Sequence, residues 1–172
     1  MKILVCVSHV PDTTSKINFI DNNTLFDTNG IQFIINPNDE FGLTKAIWMK
    51  QKLGAEVTVV TVGENSCEST LRKCLAIGAD KALRVDLKPI DGFQVAKQLA
   101  NICQKESYDV IITGRESIDY NGGMVPGMLS ALMNYNFVTN CVYLEIEGDN
   151  AMASREIDGG IESVSCKLPI II

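Results

Sequence analysis

The chain has 172 residues, enough for one well-buried domain and short for two. Its formal charge of -6 and pI near 4.8 leave no basic footprint for a nucleic-acid backbone, and no run of 18 apolar residues offers a spanning helix. Six scattered cysteines without a CxxC pair read as buried free thiols rather than as a metal site or a disulfide framework.

Lys2-Ile-Leu-Val-Cys-Val7 is a continuous apolar run, predicted as a first strand buried on both faces. It is too short for a signal peptide, which places the protein in the cytoplasm by default. Ser8 to Asp12 follows as a strand-end loop, with Pro11 expected to end extended structure. His9, the single histidine, titrates near neutrality, but no partner can be placed against it, so a structural or exposed role is favoured over a catalytic one.

Residues 16 to 35 break the strand-helix rhythm. Turn-like Asp21-Asn-Asn and Asp27-Thr-Asn-Gly30 separate short apolar pieces, which predicts a small hairpin or irregular excursion. Asn36-Pro-Asn-Asp-Glu40 closes it, with Asn36 and Asn38 as candidate caps or ligand-facing amides. Phe41, Leu43, Ala46, Ile47, Trp48 and Leu53 then recur at helical spacing, so Trp48 reads as core packing rather than as an aromatic platform.

Gly54 ends that helix, and Glu56 to Val62 is a second buried strand. Its turn, Gly63 to Ser66, offers Ser66 as a cap for a helix ending at Gly78. Ala79 to Asp86 supplies a third strand, and Asp91 caps a helix running through Cys103.

Val110-Ile-Ile112 is β-branched throughout and suits a central parallel strand. Thr113 and Gly114 stand at its C-terminal end, where open α/β sheets bind ligands. Gly122 and Gly123 allow close backbone approach or a positive φ, and Pro126 is tolerated in the first turn of a helix from about Val125 to Met133. Such a helix start presents free N-H groups to an anion. Cys141 to Glu147, Ala151 to Ile157 and Ile161 to Leu168 read as strands joined by hairpin turns. The predicted architecture is therefore α/β: strand-helix units with right-handed crossovers, a mostly parallel sheet, and a C-terminal antiparallel meander.

Four strand-end turns, at Ser8 to Asp12, Gly63 to Ser66, Asp86 to Asp91 and Gly114 to Gly127, could share one sheet edge and form a nucleotide-sized site. Any doubly wound fold has such turns, so the bare pattern fits a ligand site and ordinary loop chemistry alike. The phosphate-loop GxxxxGK[ST] and the dinucleotide GxGxxG after Val7 are both absent. Glu116 and Asp119 make no credible acid-base pair, and Arg155-Glu-Ile-Asp158 reads as a solvated rim. The pattern speaks for binding, not turnover, and no catalytic or metal-ligating residue is assigned.

Five segments in order, Lys2 to Asp12, Asn36 to Glu40, Leu71 to Asp80, Gly114 to Asp119 and Arg155 to Glu162, followed by Lys167-Leu-Pro169, carry a resemblance. The chain resembles the β subunit of electron-transfer flavoproteins, the FixA-like family, over almost its whole length. That resemblance implies a single domain over 1-172, a three-layer α/β/α Rossmann-like fold of the adenine-nucleotide hydrolase-like class. It implies an α subunit as partner, a redox FAD shared with or held by that subunit, and AMP or a second FAD in the β-type domain. Electrons would pass from dehydrogenases to a respiratory or ferredoxin-type acceptor, through an electron carrier rather than an independent enzyme. By position the nucleotide would meet Cys6, Val7, Ser8, Asn36, Val62, Gly63, Gly114, Asp119, Gly123, Met124 and Val125.

The chain departs from the family in three places. Ser8 stands where a lysine is usual, Gly123, Met124 and Val125 replace polar side chains, and Pro126 replaces a common glycine. Family members also continue past Ile172 into a portion that embraces the α subunit and recognises dehydrogenases, so the chain is expected to lack it. Two rival readings remain: an adenine-nucleotide-binding regulatory or stress-type domain without electron transfer, and an adenylating or nucleotide-cleaving enzyme.

Overall fold

A computed structural model describes residues 1–172. In chain order the elements are β1 (Lys2–Cys6), β2 (His9–Pro11), β3 (Phe19–Ile20), β4 (Leu25–Phe26), β5 (Phe33–Ile35), α1 (Pro37–Leu53), β6 (Glu56–Val62), α2 (Glu68–Ile77), β7 (Lys81–Val85), α3 (Gly92–Lys105) and β8 (Val110–Ile112). They continue with α4 (Val125–Met133), β9 (Asn136–Phe137), β10 (Cys141–Glu147), β11 (Asn150–Ile157), β12 (Gly160–Lys167) and β13 (Ile170–Ile171).

The continuous apolar runs have the origin their composition suggests: the central sheet is covered on both faces. Ile3, Val5, Val57, Val59, Val110 and Ile112 point to one side and pack with Leu43 and Ala46 of α1 and Leu71 and Cys74 of α2. The alternate residues Leu4, Val60 and Ile111 point to the other side, against Ala96, Leu99 and Cys103 of α3 and Leu129 of α4. The result is a three-layer α/β/α arrangement, as predicted. Its sheet has the order β7-β6-β1-β8-β13-β9, with every adjacent pair parallel.

The C-terminal meander β10-β11-β12 is a separate antiparallel sheet. It joins the α1 side of the core through Leu144, Ile146, Ala151 and Ala153. Lys45 of α1 fixes it by donating from Nζ to the Leu144 carbonyl at 2.8 Å. The chain does not finish there: after the Leu168-Pro169 peptide it re-enters the main sheet as β13, between β8 and β9. Two isoleucines are too short a run to stand out as a strand in sequence, yet both are fully buried because the two flanking strands enclose them.

Other local expectations meet corrections. The segment after β1 is not a plain loop, since His9–Pro11 pairs antiparallel with Phe33–Ile35. Pro11 is tolerated because that two-stranded ribbon leaves one edge unpaired. The 16 to 35 excursion does hold a hairpin, β3 with β4. Ser66 does not cap α2: a 3-10 turn over Asn65–Cys67 precedes the helix, which has no side-chain cap. Asp91 does cap α3, accepting from the Gln94 N-H at 2.7 Å. Trp48 is 63% exposed rather than in the core, because the buried stripe of α1 runs through Asp39, Leu43, Ala46 and Met49. Of the six free cysteines, Cys67, Cys74 and Cys103 are buried, whereas Cys6, Cys141 and Cys166 are only partly so. No helix is long and apolar enough to cross a membrane.

The enclosure of β13 gives a direct test. Ile170→Ala should lower unfolding free energy by about 2–5 kcal/mol, the usual cost of emptying a buried isoleucine site. Exposed Ile161→Ala in the meander should change it by no more than about 0.5 kcal/mol, both read by urea denaturation.

Candidate functional site

Strand order determines where the turns meet. From β1 the chain builds outward through α1, β6, α2 and β7, and then returns through α3 to place β8 on the opposite flank of β1. The direction of winding reverses between β1 and β8, which opens a crevice at their C-terminal ends. Ser8 and Thr113-Gly114 stand at its two lips. Val62 and Gly63 end the neighbouring strand β6, and Val7 is tied to that strand by its N-H to the Val60 carbonyl at 2.9 Å.

Across the crevice lies a side chain that the sequence reading quoted only as part of a motif, Asp39. It sits in the first turn of α1 and is 4% exposed. Its Oδ2 accepts from the Ser8 N-H at 2.7 Å, and the Gly114 N-H also supports the carboxylate. Gly114 must be glycine here, since a Cβ at that position would overlap Asp39 Oδ1. The carboxylate makes no ion pair. Burial raises its pKa from 3.8 to about 6, against the opposing pull of hydrogen bonds from Ser8, Asn36 and Gly114. The same burial, with Cys103 and Asp39 adding to it, pushes the Cys6 thiol well up, so Cys6 stays protonated near neutrality.

Asn36 and Asn38 complete the clamp. Both donate from Nδ2 to the Glu116 carbonyl at 2.9 Å, and Asn36 Oδ1 accepts from the Ile118 N-H at 3.2 Å. Neither caps α1 with its side chain, so these amides hold the loop after β8. That loop folds back on itself through the Ser117 N-H to the Gly122 carbonyl. The positive φ expected at Gly122 or Gly123 falls instead on Asn121, at 51°. Asparagine tolerates this region better than most residues.

The other expected positions fall on three sides. Gly63 gives its N-H to the Val85 carbonyl and lies against the Cys67 sulfur, where a Cβ would not fit. Asp119 is exposed in the loop. Gly123, Met124 and Val125 lead into α4, and their N-H groups take no backbone acceptor. The Met124 side chain, 66% exposed, stands out in solvent. Free donors for a phosphate are therefore at the start of α4, while those of Val7, Ser8 and Gly63 are already engaged. This donor set fits a nucleotide held by backbone at its phosphate end and by the β1 and β8 lips along its length.

A cavity of about 590 Å³ lies beside this crevice rather than in it. Only Gly114 and Gly123 of the expected positions line it, together with exposed Phe41 and Trp48 of α1 and residues of β10. Gly123 therefore lies with Gly114 on the cavity side, whereas Ser8 and Gly63 follow the C-terminal ends of β1 and β6 at the crevice. His9 is engaged structurally: its Nδ1 lies 2.8 Å from Thr70 Oγ1 and its ring stacks on Phe33 at 4.4 Å. Arg155 pairs across the β11-β12 hairpin with Glu162 at 2.6 Å.

Two outcomes should follow from the Asp39 geometry. Gly114→Ala should destabilise the fold by about 1–3 kcal/mol through overpacking against the carboxylate, measured by denaturant unfolding. The folded pKa of Asp39 exceeds its unfolded value, so the folded protein takes up this proton first. The resulting penalty is full above pH 6 and is relieved as pH falls toward 3.8. Relative to Asp39→Asn, wild type should gain roughly 1–2 kcal/mol between pH 7.5 and pH 5.

Comparison with known proteins agrees with this architecture. Residues 24–172 match the family described as the electron transfer flavoprotein domain. Three proteins named electron transfer flavoprotein subunit beta align with the whole chain. That of Bacillus subtilis is 33% identical over 176 residues, covering 68% of its own length. Those of Dictyostelium discoideum and Homo sapiens are 35% and 32% identical, each covered over 70% of its length. On the family match and these three alignments, the chain belongs to the electron transfer flavoprotein family, among the beta subunits.

Proposed function

We propose that this chain is an electron-transfer flavoprotein β-type subunit that holds AMP or FAD at the β1/β8 crevice. Residues 1–172 act as one nucleotide-binding domain. Cys6, Val7, Ser8, Asn36, Val62, Gly63, Gly114, Asp119, Gly123, Met124 and Val125 form the site. With an α subunit, which shares or holds the redox FAD, the complex carries electrons between dehydrogenases and a respiratory or ferredoxin-type acceptor in the cytoplasm.

The observation that carries this reading is the coincidence of family membership with a crevice at the β1/β8 winding reversal, followed by a loop whose Gly123 to Val125 N-H groups take no backbone acceptor. A bound flavin supplies electron chemistry that no side chain of this protein can perform; AMP has no redox centre and would serve structurally. The chain's own part is to bind and orient. Ser8 and Gly114 set the width of the crevice through Asp39, and Asn36 fixes the loop that closes one side. Backbone donors at the start of α4 and Arg115, which lines the neighbouring cavity with Gly114 and Gly123, are available to a phosphate.

The test is native purification together with the α partner, followed by acid release, mass spectrometry and counting of nucleotides. A yellow complex with one AMP or FAD per β-type chain, beyond the FAD shared with the α subunit, is the expected outcome. A stable nucleotide-loaded chain that recruits no α subunit and no flavin would point to a regulatory domain instead. A complex with neither AMP nor FAD would overturn the cofactor assignment.

A further inference from the structure

We infer that Asn36 is a positioning residue of the nucleotide site: it acts on the ligand by pinning the loop between β8 and α4 before the ligand arrives, and not by touching it. The inference rests on the nucleotide-binding reading and assigns this residue its part in it.

Asn36 has no exposed surface, so no ligand reaches its side chain while the fold is intact. Its donors are also taken. Nδ2 donates to the Glu116 carbonyl at 2.9 Å and supplies a hydrogen bond to the Asp39 carboxylate, while Oδ1 accepts from the Ile118 N-H at 3.2 Å. A primary amide has two donor hydrogens, and both are thereby used. The main chain of Asn36 is held as well: its N-H donates to the Ser8 carbonyl at 3.0 Å, and its carbonyl accepts from the Asp39 N-H at 2.9 Å. One residue ties the end of β1, the start of α1 and the loop after β8 together. Asn38 shares the Glu116 carbonyl but makes no bond to Ile118.

The hold passes along the loop. Ser117, between the two pinned residues, donates its N-H to the Gly122 carbonyl at 3.2 Å. Gly123 follows, and a Cβ there would stand only 3.2 Å from the Arg115 carbonyl, so the two ends of the loop are packed against each other. Arg115 and Gly123 both line the cavity beside the crevice, and the N-H groups of Gly123, Met124 and Val125 take no backbone acceptor. The groups that a phosphate can use are thus carried by a loop whose fixed points are the two partners of Asn36. Ordering such a loop at the moment of binding would cost affinity, and fixing it beforehand moves that cost into folding.

The experiment uses the nucleotide-stripped wild-type chain and Asn36→Ala, with AMP as the probe. Amide hydrogen exchange is read residue by residue by NMR, and AMP association and dissociation by surface plasmon resonance. Exchange at Ile118 should rise about tenfold in Asn36→Ala while the amides of β1 and β6 keep their wild-type rates, a local change that general destabilisation would not produce. AMP association should slow about tenfold with dissociation unchanged, because only the fraction of molecules with a formed loop can bind. Faster dissociation at an unchanged association rate overturns the inference, since that is the mark of a lost ligand contact. Unaltered AMP kinetics overturn it too. No AMP binding to wild type overturns the nucleotide reading and this inference with it. Should Asn36→Ala fail to fold, wild type alone decides. Slow exchange at Ile118 both without and with AMP supports a loop pinned in advance, whereas protection that appears only with AMP overturns the inference and leaves the nucleotide reading standing.

Discussion

Enclosure of β1 on both faces is the constraint from which the other features follow. Ile3 and Val5 need apolar cover on one side and Leu4 on the other, and one helix layer cannot provide both. The chain satisfies this by building β6 and β7 to one flank with α1 and α2, then crossing to place β8 on the other flank with α3 and α4 beneath. Reversal of winding at β1 is thus a packing solution, and the crevice at its C-terminal end is a geometric by-product. In open α/β sheets ligand sites arise at such reversals because strand ends and helix starts leave backbone groups without partners.

Into that by-product the protein has put a buried acid. A carboxylate 4% exposed, without an ion pair, runs against the ordinary rule that buried charge is paired. Its hydrogen bonds offset part of the desolvation but not all of it, which is why the net displacement of its pKa is upward. On the order of 3 kcal/mol separates its two protonation states from those of a free carboxyl. An apolar residue of similar volume could not join Ser8 to Gly114, because both lips present N-H groups that require an acceptor. The acid therefore trades stability for a fixed crevice width.

Much of this was legible in the residues, and the parts that were not have physical explanations. Continuous β-branched runs identified β6 and β8 because strands covered on both faces need apolar residues throughout. β13 escaped because two residues carry no periodicity, and its burial comes wholly from neighbours distant in sequence. Trp48 was misassigned because its place at helical spacing was counted without asking which stripe faces the sheet. Asp39, Leu43 and Ala46 share that stripe at i, i+4 and i+7, so the same periodicity that misled over Trp48 could have singled out Asp39. A charged residue on the buried face of a first helical turn, at the mouth of a sheet, is a readable signal of a site.

The loop from Gly114 to Val125 shows why fold and ligand are separate questions. Asn36 and Asn38 hold its backbone at Glu116 and Ile118, so the first part of its course is fixed by amides outside the loop. Glycine, methionine and valine at positions 123 to 125 leave that hold intact. What changes is the means of holding an anion. Side-chain donors add charge and reach, whereas the N-H groups of Gly123 to Val125 offer only dipoles fixed by the start of α4. With a serine at position 8, the cation beside the β8 lip is Arg115, which lines the neighbouring cavity with Gly114 and Gly123.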